Sequence, residues 1–198
     1  MHVSFDLDGT IIDSMESVKK SLKIALEINH VETRKEIKIG PPLDQLLVTH
    51  VGDDGELKRV IKNSFIETYD EKLAITATLY PGIKDVLKNL ATDANIISLV
   101  TNKRKYPTYQ ILRQYNLTHL FDVIICSDEY NHGATKLERL LNIRVKGREN
   151  MYIGDTHSDY VAATGANYYF LSATWGYDNL KKGVILNRPQ DILEYIHG

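Results

Sequence analysis

The chain has 198 residues, of which 43% are hydrophobic and 25% are charged, with a formal net charge of −2 and a pI of about 6.4. This composition is typical of a globular protein and is large enough for one core, or for a core with a small second domain. The balanced charge lacks the basic excess of nucleic-acid-binding proteins, so nucleic acid is excluded as the expected partner.

Cysteine content and hydropathy indicate the cellular compartment in which the protein is expected. The single cysteine, Cys126, excludes an intrachain disulfide and fits a reducing environment. No run approaches the ~20 apolar residues that span a membrane, and the amino terminus lacks a signal-peptide pattern. We therefore expect a soluble cytoplasmic protein that binds no membrane.

Short apolar runs alternate with stretches of helical period along most of the chain. This alternation predicts an α/β fold with a parallel, Rossmann-like sheet. Helical patterns separate the runs, as in the apolar spacing of Ile83, Val86 and Leu87. The predicted strands, in chain order, are residues 2–5, 96–100, 123–126, 151–153 and 168–171.

One interval interrupts the alternation of strands and helices. Between residues 14 and 79 we find only helical patterns, such as the one that contains Val18 and Leu22. We interpret residues 14–79 as a small helical domain inserted after the first strand. Residues 1–13 and 80–198 would then form the sheet-containing core.

Polar side chains follow two of the predicted strands at the sheet edge where α/β proteins bind ligands. Asp6 and Asp8 follow the first strand, and their i, i+2 spacing places both side chains on one face. Thr101 and Asn102 follow the second strand. Two carboxylates this close repel each other unless a proton or a cation lies between them.

A third strand end adds two more acids. Asp155 follows the strand at 151–153, and Asp159 lies four residues later, on the same side if a helix begins there. Four carboxylates with a hydroxyl and a nearby lysine suit a divalent metal beside a phosphate, and hard oxygen ligands fit Mg²⁺. Taken singly, each residue has an ordinary alternative: a turn at Asp8, a helix cap at Thr101, or a solvated helix start at Asp155.

Three segments resemble signatures of the haloacid dehalogenase-like superfamily. Residues 5–10 (Phe-Asp-Leu-Asp-Gly-Thr) resemble the first, residues 100–103 (Val-Thr-Asn-Lys) the second, and residues 154–159 (Gly-Asp-Thr-His-Ser-Asp) the fourth. The helical insert looks like the C1-type cap of this superfamily. Within it, residues 39–43 (Ile-Gly-Pro-Pro-Leu) resemble members of the phosphoglycolate-phosphatase type.

The resemblance implies a Mg²⁺-dependent phosphohydrolase that acts on a small phosphorylated metabolite through an aspartyl-phosphate intermediate. Asp6 would be the nucleophile, and Asp8 would protonate the leaving oxygen and then activate water. Asp6, the backbone carbonyl of Asp8 and Asp155 would hold the Mg²⁺, with Asp159 supporting it from close by.

The resemblance also implies a phosphate-binding set of Thr101, Asn102 and a lysine. Lys136 is the preferred lysine because it begins a predicted helix ahead of the fourth signature, and Lys103 is the competing candidate. Many relatives have proline after this lysine, whereas Leu137 follows it here.

Several functions stay open beside the phosphatase. A phosphomutase of the β-phosphoglucomutase type would use the same two aspartates, and a pyrophosphatase or nucleotidase would share the same cap. A non-catalytic phosphate-binding module is the least favoured reading. Trp175 and Gly176 resemble a loop near the active site of relatives, or Trp175 packs on the core. The sequence predicts neither the substrate nor the oligomeric state.

Overall fold

A computed structural model describes residues 1–32, 37, 43–93, 95–129 and 133–198 of the chain. The strands are β1 (His2–Phe5), β2 (Ile12–Asp13), β3 (Thr78–Leu79), β4 (Ile96–Val100), β5 (Val123–Ile125), β6 (Asn150–Gly154), β7 (Tyr169–Ala173) and β8 (Val184–Leu186). The α-helices are α1 (Met15–Ile28), α2 (Leu43–Val51), α3 (Gly55–Thr68), α4 (Ile83–Thr92), α5 (Lys105–Gln114), α6 (Lys136–Ile143), α7 (His157–Gly165) and α8 (Asp191–His197). Short helical turns lie at Tyr69–Leu73, Ala74–Thr76 and Thr118–Leu120.

Six strands form one parallel sheet in the order β5-β4-β1-β6-β7-β8. The central strand β1 pairs with β4 and with β6, so that Phe5 lies between Leu99 and Ile153. All four residues of β1 are buried, which means that both faces of the sheet are covered at its centre. The predicted α/β fold with a Rossmann-like parallel sheet is confirmed.

The described chain divides into two compact units. Met1–Asp13 and Thr78–Gly198 form the first, which contains the six-stranded sheet, and Ser14–Ala77 forms the second. In the second unit α3 packs against both α1 and α2. The interpretation of this unit as a substrate cap stays a prediction, and residues 39–42 of the segment that resembles phosphoglycolate phosphatases lie outside the described residues.

Three short strands are absent from the sequence prediction. Strands β2 and β3 form a separate antiparallel pair, in which Asp13 lies opposite Thr78, and β8 extends the large sheet beside β7. The expectation of helix alone up to residue 79 is therefore wrong at Thr78–Leu79. A strand of two residues is too short to show the alternation by which strands are identified.

The length and hydropathy of the helices in the described residues give one further finding. None of the helices there combines the length and the apolar character that crossing a bilayer would require.

Candidate active site

Three neighbouring strands bring predicted site residues to one edge of the sheet. Asp6 directly follows β1, Thr101 directly follows β4, and Asp155 directly follows β6. Because β4 and β6 flank β1 and all three run in parallel, these residues begin adjacent loops. All three side chains are buried, so they contact other protein groups more than they contact solvent.

The loop after β1 folds tightly. The Leu7 carbonyl accepts hydrogen bonds from the N–H groups of Ile11 and Ile12, at 2.9 and 3.0 Å. Gly9 has a φ of +76°, and a Cβ there would lie 2.1 Å from Oδ2 of Asp155. Glycine at this position therefore allows both the left-handed backbone and its close approach to the carboxylate that follows β6.

Asp6, Asp155 and Asp159 form a buried carboxylate cluster. One oxygen from each lies within 4.8 Å of the other two. Burial raises the pKa of Asp6 to about 7 and that of Asp155 to about 8, and the neighbouring carboxylates push both values in the same direction. Asp6 and Asp155 are therefore both ionised at neutral pH only when enough positive charge lies beside them.

Lys136, the first residue of α6, contributes part of that charge. Its Nζ lies 3.0 Å from Oδ1 of Asp6 and 2.5 Å from Oδ1 of Asp159. Burial alone would lower the pKa of Lys136, but the two carboxylates outweigh burial and raise it. The ring of Tyr152 lies 5.7 Å from the same Nζ, within the range of a cation–π contact. Together these contacts keep a buried lysine charged.

Lys103 pairs with the other aspartate of the first signature. Its Nζ lies 3.0 Å from Oδ1 of Asp8, and its side chain is only 7% exposed. The sequence offered Lys136 and Lys103 as alternatives for one role. In the structure each lysine has its own partner, because Lys136 contacts Asp6 and Lys103 contacts Asp8.

Both oxygens of Asp159 are hydrogen-bonded within the protein. Oδ1 accepts from Nζ of Lys136, and Oδ2 accepts from the N–H and the hydroxyl of Thr156, at 3.0 and 2.6 Å. Thr156 is also the N-cap of α7. Asp159 thus connects the start of α7 to the lysine and fixes the position of both.

Asp155 retains an oxygen suited to a cation. Its Oδ2 accepts the N–H of Tyr177 at 2.8 Å, whereas its buried Oδ1 has no hydrogen-bond partner among the described residues. A buried carboxylate oxygen beside Asp6 and Asp159 is a hard ligand of the kind that Mg²⁺ prefers. The residues present therefore fit a divalent metal.

The loop after β7 borders this cluster. The Trp175 indole N–H donates to a backbone carbonyl of the loop after β1 at 3.0 Å. A Cβ on Gly176 would lie 2.3 Å from both the Cβ of Asp155 and the carbonyl oxygen of Gly9. The sequence left open whether Trp175 borders the site or packs on the core, and these contacts place its loop against the site.

Sequence reasoning missed Arg139, which lies one helical turn after Lys136. It is 2% exposed and donates hydrogen bonds to the Thr101 carbonyl and to Oδ1 of Asn102. The Asn102 side-chain oxygen is therefore directed to α6. The available signal was the spacing, since residues three apart on a helix share a face.

Comparison with known proteins agrees with these features. A model of the family described as haloacid dehalogenase-like hydrolase matches residues 3–173. A phosphoglycolate phosphatase from Aquifex aeolicus (strain VF5) is 28% identical over 209 aligned positions, covering 97% of this chain and 94% of that protein. One from Vibrio cholerae is 27% identical over 193 positions, covering 89% and 85%. A solved structure described as a predicted phosphatase from Clostridium acetobutylicum has a TM-score of 0.87 at 25% identity, covering 99% of this chain and 97% of that one.

Proposed function

The chain belongs to the haloacid dehalogenase-like hydrolase family, and we propose that it is a Mg²⁺-dependent phosphatase of a small phosphorylated metabolite. The observation that carries the proposal is the buried cluster of Asp6, Asp155 and Asp159 with Lys136 beside it. One carboxylate of this cluster would act as nucleophile, and the others would hold the groups that neutralise the phosphate.

Asp6 is the proposed nucleophile. Its carboxylate attacks phosphorus, the bond to the leaving oxygen breaks, and an aspartyl-phosphate forms. Asp8 gives its proton to the leaving oxygen and then takes a proton from the water that attacks the aspartyl-phosphate, which releases phosphate and restores Asp6. Lys136 offsets negative charge at Asp6, and Lys103, at 3.0 Å, orients the carboxyl group of Asp8.

The proposed metal site uses Asp6, Asp155 and the backbone carbonyl of Asp8. Bound Mg²⁺ would supply charge stabilisation for the phosphoryl group during transfer. Asp159 would support the site through its bonds to Lys136 and to the start of α7. Thr101 and Asn102, in the loop after β4, would bind the phosphoryl oxygens.

Phosphoglycolate is the first substrate to test. Similar proteins from Aquifex aeolicus and Vibrio cholerae carry the name phosphoglycolate phosphatase. The panel should extend to sugar phosphates, nucleotides and pyrophosphate, because fold alone does not determine the substrate. Isomerisation of a sugar phosphate stimulated by its bisphosphate would identify a phosphomutase instead.

The decisive test of the mechanism compares wild type, Asp6→Asn and Asp8→Asn on para-nitrophenyl phosphate, with Mg²⁺ and with EDTA. We expect Mg²⁺-dependent turnover by the wild type and its loss, by several orders of magnitude, in Asp6→Asn. The nitrophenolate leaving group needs little protonation, so Asp8→Asn should still release about one equivalent in a burst and then stall as the phosphoenzyme.

Glu149→Gln, which removes an exposed carboxylate, is the control and should retain wild-type turnover. Full activity of Asp6→Asn would rule out Asp6 as the nucleophile. A wild type that hydrolyses no phosphomonoester in a broad panel would contradict the proposed function.

A further inference from the structure

Arg139 is a buried cation on α6 that lies close to the candidate site. It lies on α6, three residues after Lys136, and is 2% exposed. Burying a charge is costly unless hydrogen bonds and opposite charge compensate it. Among the described residues, no carboxylate forms an ion pair with its guanidinium.

Within the described parts of the chain, Arg139 donates its hydrogen bonds to neutral acceptors. Nη1 donates to the Thr101 carbonyl, and Nη2 donates to Oδ1 of Asn102 at 2.5 Å. Nε makes a longer contact of 3.4 Å with the carbonyl of Thr135 at the start of α6. The planar guanidinium therefore joins the loop after β4 to the first turn of the helix that carries Lys136.

The bond to Thr101 also determines the direction of the next N–H. In a trans peptide the carbonyl of residue 101 and the N–H of residue 102 point in opposite directions, and the described chain contains no cis peptide bond. Holding the Thr101 carbonyl on Arg139 thus turns the Asn102 N–H away from α6. Within the described part of the chain, that N–H has no hydrogen-bond acceptor.

We propose that Arg139 is a positioning residue for phosphoryl binding, which fixes the Thr101–Asn102 peptide so that its N–H is presented to a phosphoryl oxygen. The inference rests on the proposed function, since it requires a phosphate at this edge of the sheet. In this proposal, the conformation of the loop after β4 is controlled by a side chain of α6, which lies outside that loop. The guanidinium also adds a third cation, after Lys136 and Lys103, to a site that must accept a dianion.

The test measures binding of inorganic phosphate in the presence of Mg²⁺ by titration calorimetry, which needs no turnover. Arg139→Met should raise the phosphate dissociation constant roughly 10- to 100-fold, the range for losing hydrogen bonds that organise a charged ligand. Arg139→Lys should retain the charge but not the planar fork, and should give an intermediate value.

Two further variants separate positioning from general destabilisation. Leu140→Val, at the fully buried neighbouring position on α6, should lower the melting temperature without changing phosphate affinity. Asn102→Ala removes the side-chain oxygen that accepts a hydrogen bond from Arg139. Arg139→Met should therefore change the phosphate dissociation constant less in the Asn102→Ala background than in the wild type. If Arg139→Met does not fold, Arg139→Lys carries the test, measured both alone and in the Asn102→Ala background.

The outcomes distinguish the two proposals. Equal phosphate affinity in wild type and the Arg139 variants would overturn the role of Arg139 and leave the phosphatase assignment intact. If Leu140→Val lost as much phosphate affinity as Arg139→Met, the effect of Arg139 would be explained by general destabilisation, and the positioning role would be wrong. A wild type that neither binds phosphate nor hydrolyses phosphomonoesters would overturn both.

Discussion

At the scale of single residues, the raised pKa values of Asp6 and Asp155 predict that binding of the proposed Mg²⁺ releases protons. Their pKa values are raised to about 7 and about 8, chiefly by burial, from an ordinary value of 3.8. At neutral pH the folded, metal-free protein therefore holds protons that the unfolded chain has lost. This contribution to stability is fully present below about pH 4 and disappears as the pH rises through 8.

Metal binding should show the opposite pH dependence. A cation must displace these protons, so its apparent affinity should rise by up to about tenfold per pH unit for each carboxyl group that has to ionise. We predict that a fixed Mg²⁺ concentration raises the melting temperature little at pH 6 and much more at pH 8.5. Thermal unfolding with Mg²⁺ and with EDTA across this range measures the difference.

Asp155→Asn is the matched variant for this prediction. The amide cannot ionise and binds Mg²⁺ poorly, so the Mg²⁺-dependent shift should vanish. Metal-free Asp155→Asn should also unfold at a higher temperature than metal-free wild type at pH 8.5, because one repelling charge is gone. A Mg²⁺ shift that is the same at pH 6 and pH 8.5 would contradict the assignment of these carboxylates to the metal.

At the scale of elements, the sequence predicted the strands and helices that have a regular apolar pattern. It missed short strands that form only by pairing with residues distant along the chain. The central strands were recognisable because buried parallel strands read as continuous apolar runs, as at Ile96–Val100. Strand β3 was not recognisable, since its two residues are ordered by pairing with Ile12–Asp13 across the whole insert.

The same contrast holds within the site. Asp6 and Asp155 were predictable because each directly follows a strand, where the topology fixes its place. The partners of Lys136 and Lys103 were not predictable, because long side chains can reach several acids from one backbone position. Arg139 was not identified from the sequence, because its role depends on hydrogen bonds to the loop after β4, which is distant along the chain.

The start of helix α6 gives a prediction at this scale. Thr135 is the N-cap, and it forms a capping box in which its hydroxyl accepts from the Glu138 N–H and the Glu138 carboxylate accepts from the Thr135 N–H. Thr135→Ala should cost about 1 kcal/mol of stability. Because Lys136 is the next residue, the frayed helix start should also weaken phosphate binding and lower the turnover of para-nitrophenyl phosphate.

Asp54→Ala provides the comparison, since Asp54 caps α3 through the Leu57 N–H at 2.9 Å. It should cost a similar free energy of unfolding in the helical unit and leave phosphate affinity unchanged. Equal losses of phosphate affinity in both variants would show that general stability, and not the start of α6, controls binding.

At the scale of the whole molecule, the chain leaves the sheet-containing unit and returns to it at one place. Asp13 and Thr78 lie opposite each other in the antiparallel pair β2–β3, and the Tyr80 N–H extends the pairing to the Ile11 carbonyl at 3.0 Å. The two chain ends that border Ser14–Ala77 are therefore adjacent within the sheet-containing unit. All the proposed catalytic, phosphate-binding and metal-binding residues belong to that unit.

This arrangement predicts that the sheet-containing unit folds without the insert. Replacing Ser14–Ala77 by Asn-Gly should close β2 and β3 into a hairpin, because that dipeptide favours the type I′ turn. We expect cooperative thermal unfolding and retained binding of Mg²⁺ and inorganic phosphate. Hydrolysis of para-nitrophenyl phosphate should persist, whereas discrimination among natural phosphomonoesters should fall, since a cap supplies specificity and excludes water.

The control adds Asp6→Asn to the shortened chain. This substitution should abolish the remaining hydrolysis of para-nitrophenyl phosphate if Asp6 is the nucleophile there too. A shortened chain that unfolds without cooperativity would show that the insert is part of the folding unit. Unchanged selectivity across the substrate panel would argue that Ser14–Ala77 is not a cap. Because phosphate binding and substrate selectivity are measured separately, the experiment distinguishes a role of the insert in folding from a role in recognition.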